Sequence, residues 1–214
     1  MEKKIKVLIV DDHPVFRQGL SLVFSKAPDI EISGEAEEGN EALEKIQKDD
    51  WDVVFLDISL PHQNGLDVLK RIKKVAPQLP VLMLSMFPEE QYSLRSIKAG
   101  ASGYLTKESP PAVLIQAVRQ AAAGKKIFSL ETTEKLLSNF DANVQKQPHE
   151  KLTDREFQVM NLLAMAKTPA EIAEELCLSV STVFAHRAHI LKKMNLSNNA
   201  QLMYYAVTHR LVEP

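Results

Sequence analysis

Asp11, Asp12, Asp57, Ser85 and Lys107 are residue types that together could hold a cation and an anion and carry a group between them. Three carboxylates held side by side repel one another, and their pKa values rise unless a cation joins them. Oxygen-only ligands suit a hard ion, and Mg²⁺ takes few carboxylates and keeps several waters. An ammonium and a small hydroxyl facing such an ion can receive an anion. Nucleophile, metal, ammonium and hydroxyl around one phosphoryl group describe phosphoryl transfer to a carboxylate. The reading requires that the five side chains converge on one pocket and that Asp57 be reachable from solvent. Each residue has a plainer alternative when taken alone. An Asp-Asp pair after a strand can serve only as a helix cap, and a single lysine is usually a solvated surface group.

The elements that must place these residues are legible as short aliphatic runs. Ile5–Val10 leads into Asp11-Asp12, and Val53–Leu56 leads into Asp57. Val81–Ser85 ends on the serine, and Tyr104–Leu105 shortly precedes Lys107. Such runs read as strands covered on both faces. Glu31–Ala36 alternates more weakly and supplies a further strand. Between them lie segments of helical spacing: Pro14–Ala27, Glu41–Lys48, Leu66–Val75, Gln91–Ala99 and Ala112–Ala123, the last two closed by Gly100 and Gly124. The alternation predicts right-handed crossovers and a doubly wound parallel sheet of five strands and five helices. Ligands of such a sheet bind beyond the carboxyl ends of its strands, where all five residues fall.

This first domain is assigned to residues 1–124. Residues 125–150 read as a linker, with a helix over Leu130–Phe140 and a polar, proline-containing stretch over Asp141–Glu150. Residues 151–214 form an all-helical second domain. Thr153–Glu156 and Thr168–Glu171 are capping boxes, the second with proline at the first helical position. Ala170–Leu176, a turn at Cys177–Ser179 and a longer Val180–Met194 have helix-turn-helix proportions. Ala200–Thr208 is the last helix. Its Ala200, Leu202, Met203, Tyr204 and Val207 offer more apolar surface than one small packing face needs, which marks a dimer contact. His186 and His189 have possible metal spacing, but no Cys or carboxylate accompanies them there.

Bulk properties narrow the classes. The 214 residues are 45% hydrophobic and 25% charged, as in an ordinary globular protein. No apolar run approaches the ~18 residues of a membrane span, and the opening residues are too short a lead for a signal peptide. A cytoplasmic protein is expected. The lone Cys177 excludes an internal disulfide and fits a reducing compartment. Net charge is -2, and residues 151–214 hold seven Lys/Arg against six Asp/Glu. DNA binding must therefore rest on local placement of charge.

The strand-end Asp11-Asp12, the central aspartate of FLDISLPHQNGLD, Ser85 and the Tyr-Leu-Thr-Lys at 104–107 resemble the receiver domain of two-component signalling. The segments LTDREFQVMNLLA and PAEIAEELCLSVSTVFAHRAHILKKMNL resemble the LuxR-type helix-turn-helix over residues 152–212, and the whole arrangement is similar to the NarL/FixJ family of response regulators. The resemblance implies a flavodoxin-like receiver in which Asp57 accepts phosphate from a sensor histidine kinase. It implies Mg²⁺ bound by Asp12 and Asp57, by Asp11 through water and by the Ser59 carbonyl. Ser85 and Lys107 would contact the phosphoryl oxygens, and Tyr104 would turn inward as Ser85 is recruited. The phosphorylated state would dimerise or free the second domain for double-stranded DNA. Enzymatic activity would be limited to self-phosphorylation and slow self-dephosphorylation. Phe87, two residues after Ser85, would hinder hydrolytic water and lengthen the life of phospho-Asp57. Glu108 stands where many receivers have proline, which leaves the geometry of the bond after Lys107 open. His13 and His62 flank the site with packing or loop roles.

In that family the long helix lies in the major groove. Its candidate contacts here are Ser181, Thr182, Phe184, Ala185, Arg187 and Ala188, with Lys192 and Lys193 beyond. Thr182, His186 and Lys193 could reach phosphates, and Phe184 or Ala185 a thymine methyl. Phe184 and Ala188 stand where relatives often carry basic residues. A second reading is therefore a receiver-controlled regulator that acts through protein contacts with weak or no DNA binding. A third, a hydrolase using Asp57 as covalent nucleophile, lacks a second substrate-binding constellation.

Overall fold

The computed structural model describes residues 3–130, 132–134 and 147–212. They belong to two compact units, Met1–Lys135 and Leu136–Pro214. In the first, β1 (Ile5–Val10), β2 (Ile30–Ala36), β3 (Val53–Asp57), β4 (Val81–Ser85) and β5 (Gly103–Thr106) form one parallel sheet in the order β2-β1-β3-β4-β5. Helices α1 (Pro14–Phe24), α2 (Gly39–Lys48), α3 (Gly65–Val75), α4 (Glu89–Ala99) and α5 (Pro111–Ala122) alternate with the strands. This is the doubly wound sheet that the aliphatic runs predict.

Successive strand residues point to opposite faces. Val7, Ile9, Val53, Phe55, Leu82 and Leu84 pack with Leu20 and Phe24 of α1 and Leu114 and Val118 of α5. Phe24 stacks on Phe55 with ring centroids 5.8 Å apart. The alternate residues Leu8, Val10, Val54 and Leu56 are equally buried. β3 and β4 therefore have no polar face, which is why they read as unbroken apolar runs, whereas the edge strand β2 alternates. Each buried aliphatic side chain contributes about 1.5–3 kcal/mol.

Strand register sets the site. Val10 lies opposite Leu56, Asp57 opposite Leu84, and Ser85 opposite Thr106. Asp11 and Lys107, the next residues of their chains, therefore leave the sheet beside Asp57 and Ser85. Main-chain bonds hold that edge. The Asp11 N–H donates to the Ala36 carbonyl at 3.0 Å, and the Lys107 N–H to the Ser85 carbonyl at 2.8 Å.

After Asp57 the chain folds tightly back into α3. Gly65 N–H donates to the Ile58 carbonyl at 2.8 Å, and Asn64 caps the helix by accepting from Leu66 N–H at 2.8 Å. A Cβ at Gly65 would stand 1.9 Å from the Asp57 carbonyl oxygen and 2.8 Å from Ile58 Cα. Only glycine lets α3 begin this close to the central strand.

Beyond α5 the chain stays on the sheet. Ile127 N–H donates to the Ser102 carbonyl at 2.7 Å, and Tyr104 N–H to the Ile127 carbonyl at 3.2 Å. Ser129 N–H and the Thr132 hydroxyl donate to Glu89 Oε1 at 3.0 and 2.8 Å, and Thr132 Oγ1 meets Ser93 Oγ at 3.0 Å. Of the helix expected over Leu130–Phe140, positions 130 and 132–134 are helical and the remainder lies outside the described residues.

The second unit contains a 3₁₀ turn (Pro148–Lys151) and helices α6 (Asp154–Ala164), α7 (Pro169–Glu175), α8 (Val180–Met194) and α9 (Asn199–Thr208). Both expected capping boxes are formed, at Thr153/Glu156 and Thr168/Glu171. Phe157, Met160, Leu163, Ile172, Val183, Ile190 and Leu202 fill the core. The turn between α7 and α8 places Cys177 at φ 50°, and α8 ends on Asn195 at φ 56°, a left-handed conformation that Asn tolerates better than most residues.

Gly65→Ala is expected to destabilise the first unit by about 1–3 kcal/mol through overpacking against the Asp57 main chain. Urea unfolding of the variant checks this, and a wild-type midpoint would show that α3 can retreat without cost.

Candidate functional site

Asp11, Asp12, Asp57 and Lys107 come together at one end of the sheet, and Ser85 ends the neighbouring strand β4. The Lys107 ammonium sits 2.7 Å from Asp57 Oδ2 and 2.7 Å from Asp11 Oδ2, its side chain only 6% exposed. It also stands 4.9 Å above the Phe16 ring, a cation–π arrangement. Asp57 Oδ1 accepts from Ser59 N–H at 3.1 Å. Asp12 lies at the solvent side, and His13 Nδ1 is 2.8 Å from Asp12 Oδ1 and 3.1 Å from Asp11 Oδ1.

Accessibility differs from the expectation. Asp57 is 1% exposed, because the β3 end is enclosed by the sheet edge and Lys107 covers its carboxylate. The nearest open groups are Asp12 and His13. Admission of a donor to Asp57 therefore requires side-chain movement at the mouth.

Electrostatics follow from this burial. Desolvation, reinforced by the neighbouring Asp11, pushes the Asp57 pKa up, and Lys107 only partly opposes it. Desolvation alone would lower the pKa of Lys107, but Asp57 and Asp11 together hold it above the ordinary lysine value. Asp11 Oδ2 and Asp12 Oδ1 are buried, and their partners are the Lys107 ammonium at 2.7 Å and His13 Nδ1 at 2.8 Å. Ligand atoms of Asp11, Asp12, His13 and Asp57 all lie within 4.8 Å of one another. Carboxylate oxygens gathered at one sheet edge fit a divalent cation.

The hydroxyl side of the pocket is a chain of bonds. Ser85 is buried, and its Oγ accepts from Phe87 N–H at 3.0 Å. The Phe87 carbonyl in turn accepts from the Tyr104 hydroxyl at 2.8 Å. Burial holds the Tyr104 pKa far above the usual phenol range, so the group is a neutral donor. Tyr104 thus stands inward while Ser85 is bonded to its own loop. The Phe87 ring is 8% exposed and packs against Tyr92, centroids 5.3 Å apart. The Lys107–Glu108 peptide is trans, as are all others among the described residues.

Sequence reasoning missed Arg17 and Gly65 as positioning residues. The buried Arg17 guanidinium donates to the Asp11 carbonyl at 2.7 Å, to Glu35 at 2.7 Å and to Glu37 at 2.6 Å, tying the end of β1 to β2. No local pattern announces those partners. The glycine in QNGLD was a visible signal for a tight return.

In the second unit α8 presents Ser181, Phe184, Ala185, Ala188, Lys192 and Lys193 outward, with Thr182, His186 and Arg187 half-buried. Phe184 is 52% exposed. Several polar candidates already have partners. Lys193 pairs with Glu156 at 2.6 Å, Arg187 donates to Asn199 at 2.7 Å, and Thr182 Oγ1 meets Ser179 Oγ at 2.7 Å. Partial burial and the nearby Arg155 keep His186 below its ordinary pKa. In α9, Leu202 is wholly buried in the domain core, so it is unavailable to a partner, whereas Tyr204 and Val207 stay exposed.

Residues 7–119 match the family described as response regulator receiver domain, and residues 150–206 match bacterial regulatory proteins, luxR family. A receiver joined to a LuxR-type helix-turn-helix defines a class, the phosphorylation-controlled DNA-binding transcription regulators. The chain is 35% identical over 217 residues to oxygen regulatory protein NreC of Staphylococcus epidermidis, covering 98% of this chain and 100% of that one. It is 31% identical over 210 residues to response regulator GacA of Pseudomonas syringae, covering 98% of each. Among solved structures, a LuxR-family two-component response regulator from Aurantimonas is 28% identical at a TM-score of 0.58, covering 64% of this chain and 98% of that one. Salmonella typhimurium RcsB shares the fold at 24% identity and a TM-score of 0.66, covering 97% of this chain and 98% of that one. The chain belongs to the NarL/FixJ group of two-component response regulators.

The raised pKa of Asp57 gives a signed expectation. The folded state binds a proton there more tightly than the unfolded state, so stability falls as pH rises from the ordinary 3.8 through the elevated folded value. In EDTA at neutral pH, Asp57→Asn should melt at a higher temperature than wild type, and the gain should vanish in acid. A variant less stable than wild type at neutral pH would contradict the sign.

Proposed function

We propose that Asp57 is the phosphoacceptor of a sensor histidine kinase and that its phosphorylation shifts the receiver toward a state that dimerises and binds double-stranded DNA. The observation that carries this is the buried Asp57–Lys107–Asp11 cluster at 2.7 Å spacings, with Asp12 and Ser85 at the same edge. Transfer forms a bond from an Asp57 oxygen to phosphorus and breaks the bond to the donor's imidazole nitrogen, which keeps the electron pair. Mg²⁺ is the cofactor of choice for an oxygen-donor pocket, where it would neutralise charge on the transferred group. Asp12, Asp57 and the Ser59 carbonyl are its assigned holders, with Asp11 acting through water. Lys107 releases Asp57 Oδ2 and pairs with the phosphoryl oxygens, and Ser85 leaves Phe87 N–H to donate to them. Added charge of about -1.5 to -2 is the local event that biases the two receiver states.

Downstream, α8 is assigned to the major groove, with Ser181, Thr182, Phe184, Ala185, Arg187 and Ala188 as candidate contacts and Lys192 and Lys193 beyond. Thr182, His186 and Lys193 are assigned to phosphates and Phe184 or Ala185 to a thymine methyl. Tyr204 and Val207 of α9 are assigned to the dimer contact. Residues 1–124, 125–150 and 151–214 then divide into receiver, linker and DNA-binding domain. Catalysis is confined to self-phosphorylation and slow self-dephosphorylation at Asp57. The phosphorylation partner and DNA target favour the cytoplasm. No helix among the described residues is long and apolar enough to cross a membrane.

The test is anisotropy on a duplex selected from a random pool by beryllofluoride-treated protein. Beryllofluoride with Mg²⁺ should tighten binding about 5–150-fold in wild type, the usual span of allosteric coupling, and leave Asp57→Ala unchanged. Affinity should fall steeply with salt as phosphate contacts release counterions. Absence of any selectable duplex would turn the assignment toward a regulator acting through protein contacts.

A further inference from the structure

We propose that Lys73 binds carbon dioxide covalently as a carbamate, with the Lys126 ammonium holding the charge of the product. Both lysines reach the main chain just before β4 and β5, at the other end of the sheet from Asp57.

Lys73 lies in the last turn of α3, and its stem runs along the end of α4. A Cβ at Gly100 would stand 3.2 Å from Lys73 Cγ and 3.6 Å from both Cδ and Cε. The glycine, left-handed at φ 98°, leaves room for that stem. The Lys73 side chain is half-buried. Its Nζ donates to the Leu79 carbonyl at 2.6 Å and to the Pro77 carbonyl at 3.4 Å. Lys126 comes to the same place from the segment after α5, donating to the carbonyl of Ala101, the neighbour of Gly100, at 2.9 Å. Among the described residues no carboxylate pairs with either lysine, so two cationic side chains meet one patch of carbonyl oxygens without a counter-charge.

That arrangement favours a neutral amine at Lys73. Desolvation, reinforced by the Lys126 charge, brings its pKa down to about 8. Against an ordinary lysine, this raises the neutral fraction at neutral pH by roughly 300-fold. A neutral amine has two N–H bonds, which match the two carbonyls, and its lone pair is left for an electrophile. Burial lowers the Lys126 pKa too, but that side chain is exposed and keeps water about its charge.

Carbon dioxide is the electrophile whose adduct uses the second lysine. The Lys73 nitrogen forms a bond to carbon, one C=O π pair moves onto oxygen, and a proton leaves the nitrogen for water. The remaining N–H still serves the Leu79 carbonyl, and the new carboxylate pairs with Lys126. Two like charges become an ion pair, whereas an acyl group would leave a neutral amide and give Lys126 no partner.

The experiment equilibrates the full chain with ¹³C-labelled carbon dioxide and bicarbonate at neutral pH, reads it by ¹³C NMR, and traps adducts with triethyloxonium for peptide mass mapping. Wild type should show a carbamate resonance and an ethyl carbamate on Lys73, and Lys73→Arg should lose that resonance. Lys126→Gln should lower Lys73 occupancy about twofold to fivefold at the same carbon dioxide concentration, the scale of a surface ion pair. Lys167→Gln, which removes the same charge from the second unit, should leave it unchanged. Adducts confined to the N-terminal amine, or spread evenly over exposed lysines, would overturn the proposal, as would Lys73 occupancy unmoved by Lys126→Gln.

Discussion

The Lys107 ammonium, shared at 2.7 Å between Asp11 and Asp57, is the interaction on which the receiver's architecture turns. Three charged groups held out of water are costly, and their mutual attraction repays the loss only when geometry is tight. Here that geometry comes from main-chain register, since β1, β3 and β5 each deliver one member at the same sheet edge. The Asp57 pKa remains raised even beside a lysine, so the cluster is not a stabilising ornament. It is a site held in an unfavourable charge state and open to relief by a cation, which is the condition in which binding has leverage over conformation.

That leverage has a visible route. Ser85 Oγ is bonded to Phe87 N–H, the Phe87 carbonyl to the Tyr104 hydroxyl, and two residues further Glu89 holds Ser129 and Thr132. One short loop between β4 and α4 thus links Ser85, Tyr104 and the segment that follows α5. Tyr104 stands inward, 4% exposed, with its hydroxyl on the Phe87 carbonyl.

Much of this was legible because the inner strands β3 and β4 are buried on both faces. Unbroken runs such as Val53–Leu56 have clear ends, and the ends fixed where Asp57, Ser85 and Lys107 stand. The capping boxes at Thr153 and Thr168 were legible for a similar reason, since both partners lie within four residues. Long-range partners were not. Arg17 bonds to Glu35 and Glu37 across two elements, Lys193 reaches back to Glu156, and Leu202 turned from a proposed contact into core. Periodicity says that a residue is apolar or charged but not which of two competing neighbours claims it. The burial of Asp57 was equally invisible, because it depends on where the Lys107 side chain folds.

The bridge between Ile127 and Gly103 has a consequence for how such molecules come together. β5 is the outermost strand on its side, and open edges invite strand addition from another copy. Ile127 occupies the Tyr104 amide and the Ser102 carbonyl that an intruding strand would seek. At the opposite margin β2 carries Glu31 and Glu35, charges that discourage the same approach. With one flank plugged and the other lined by charged side chains, extension of the sheet into a second copy is disfavoured.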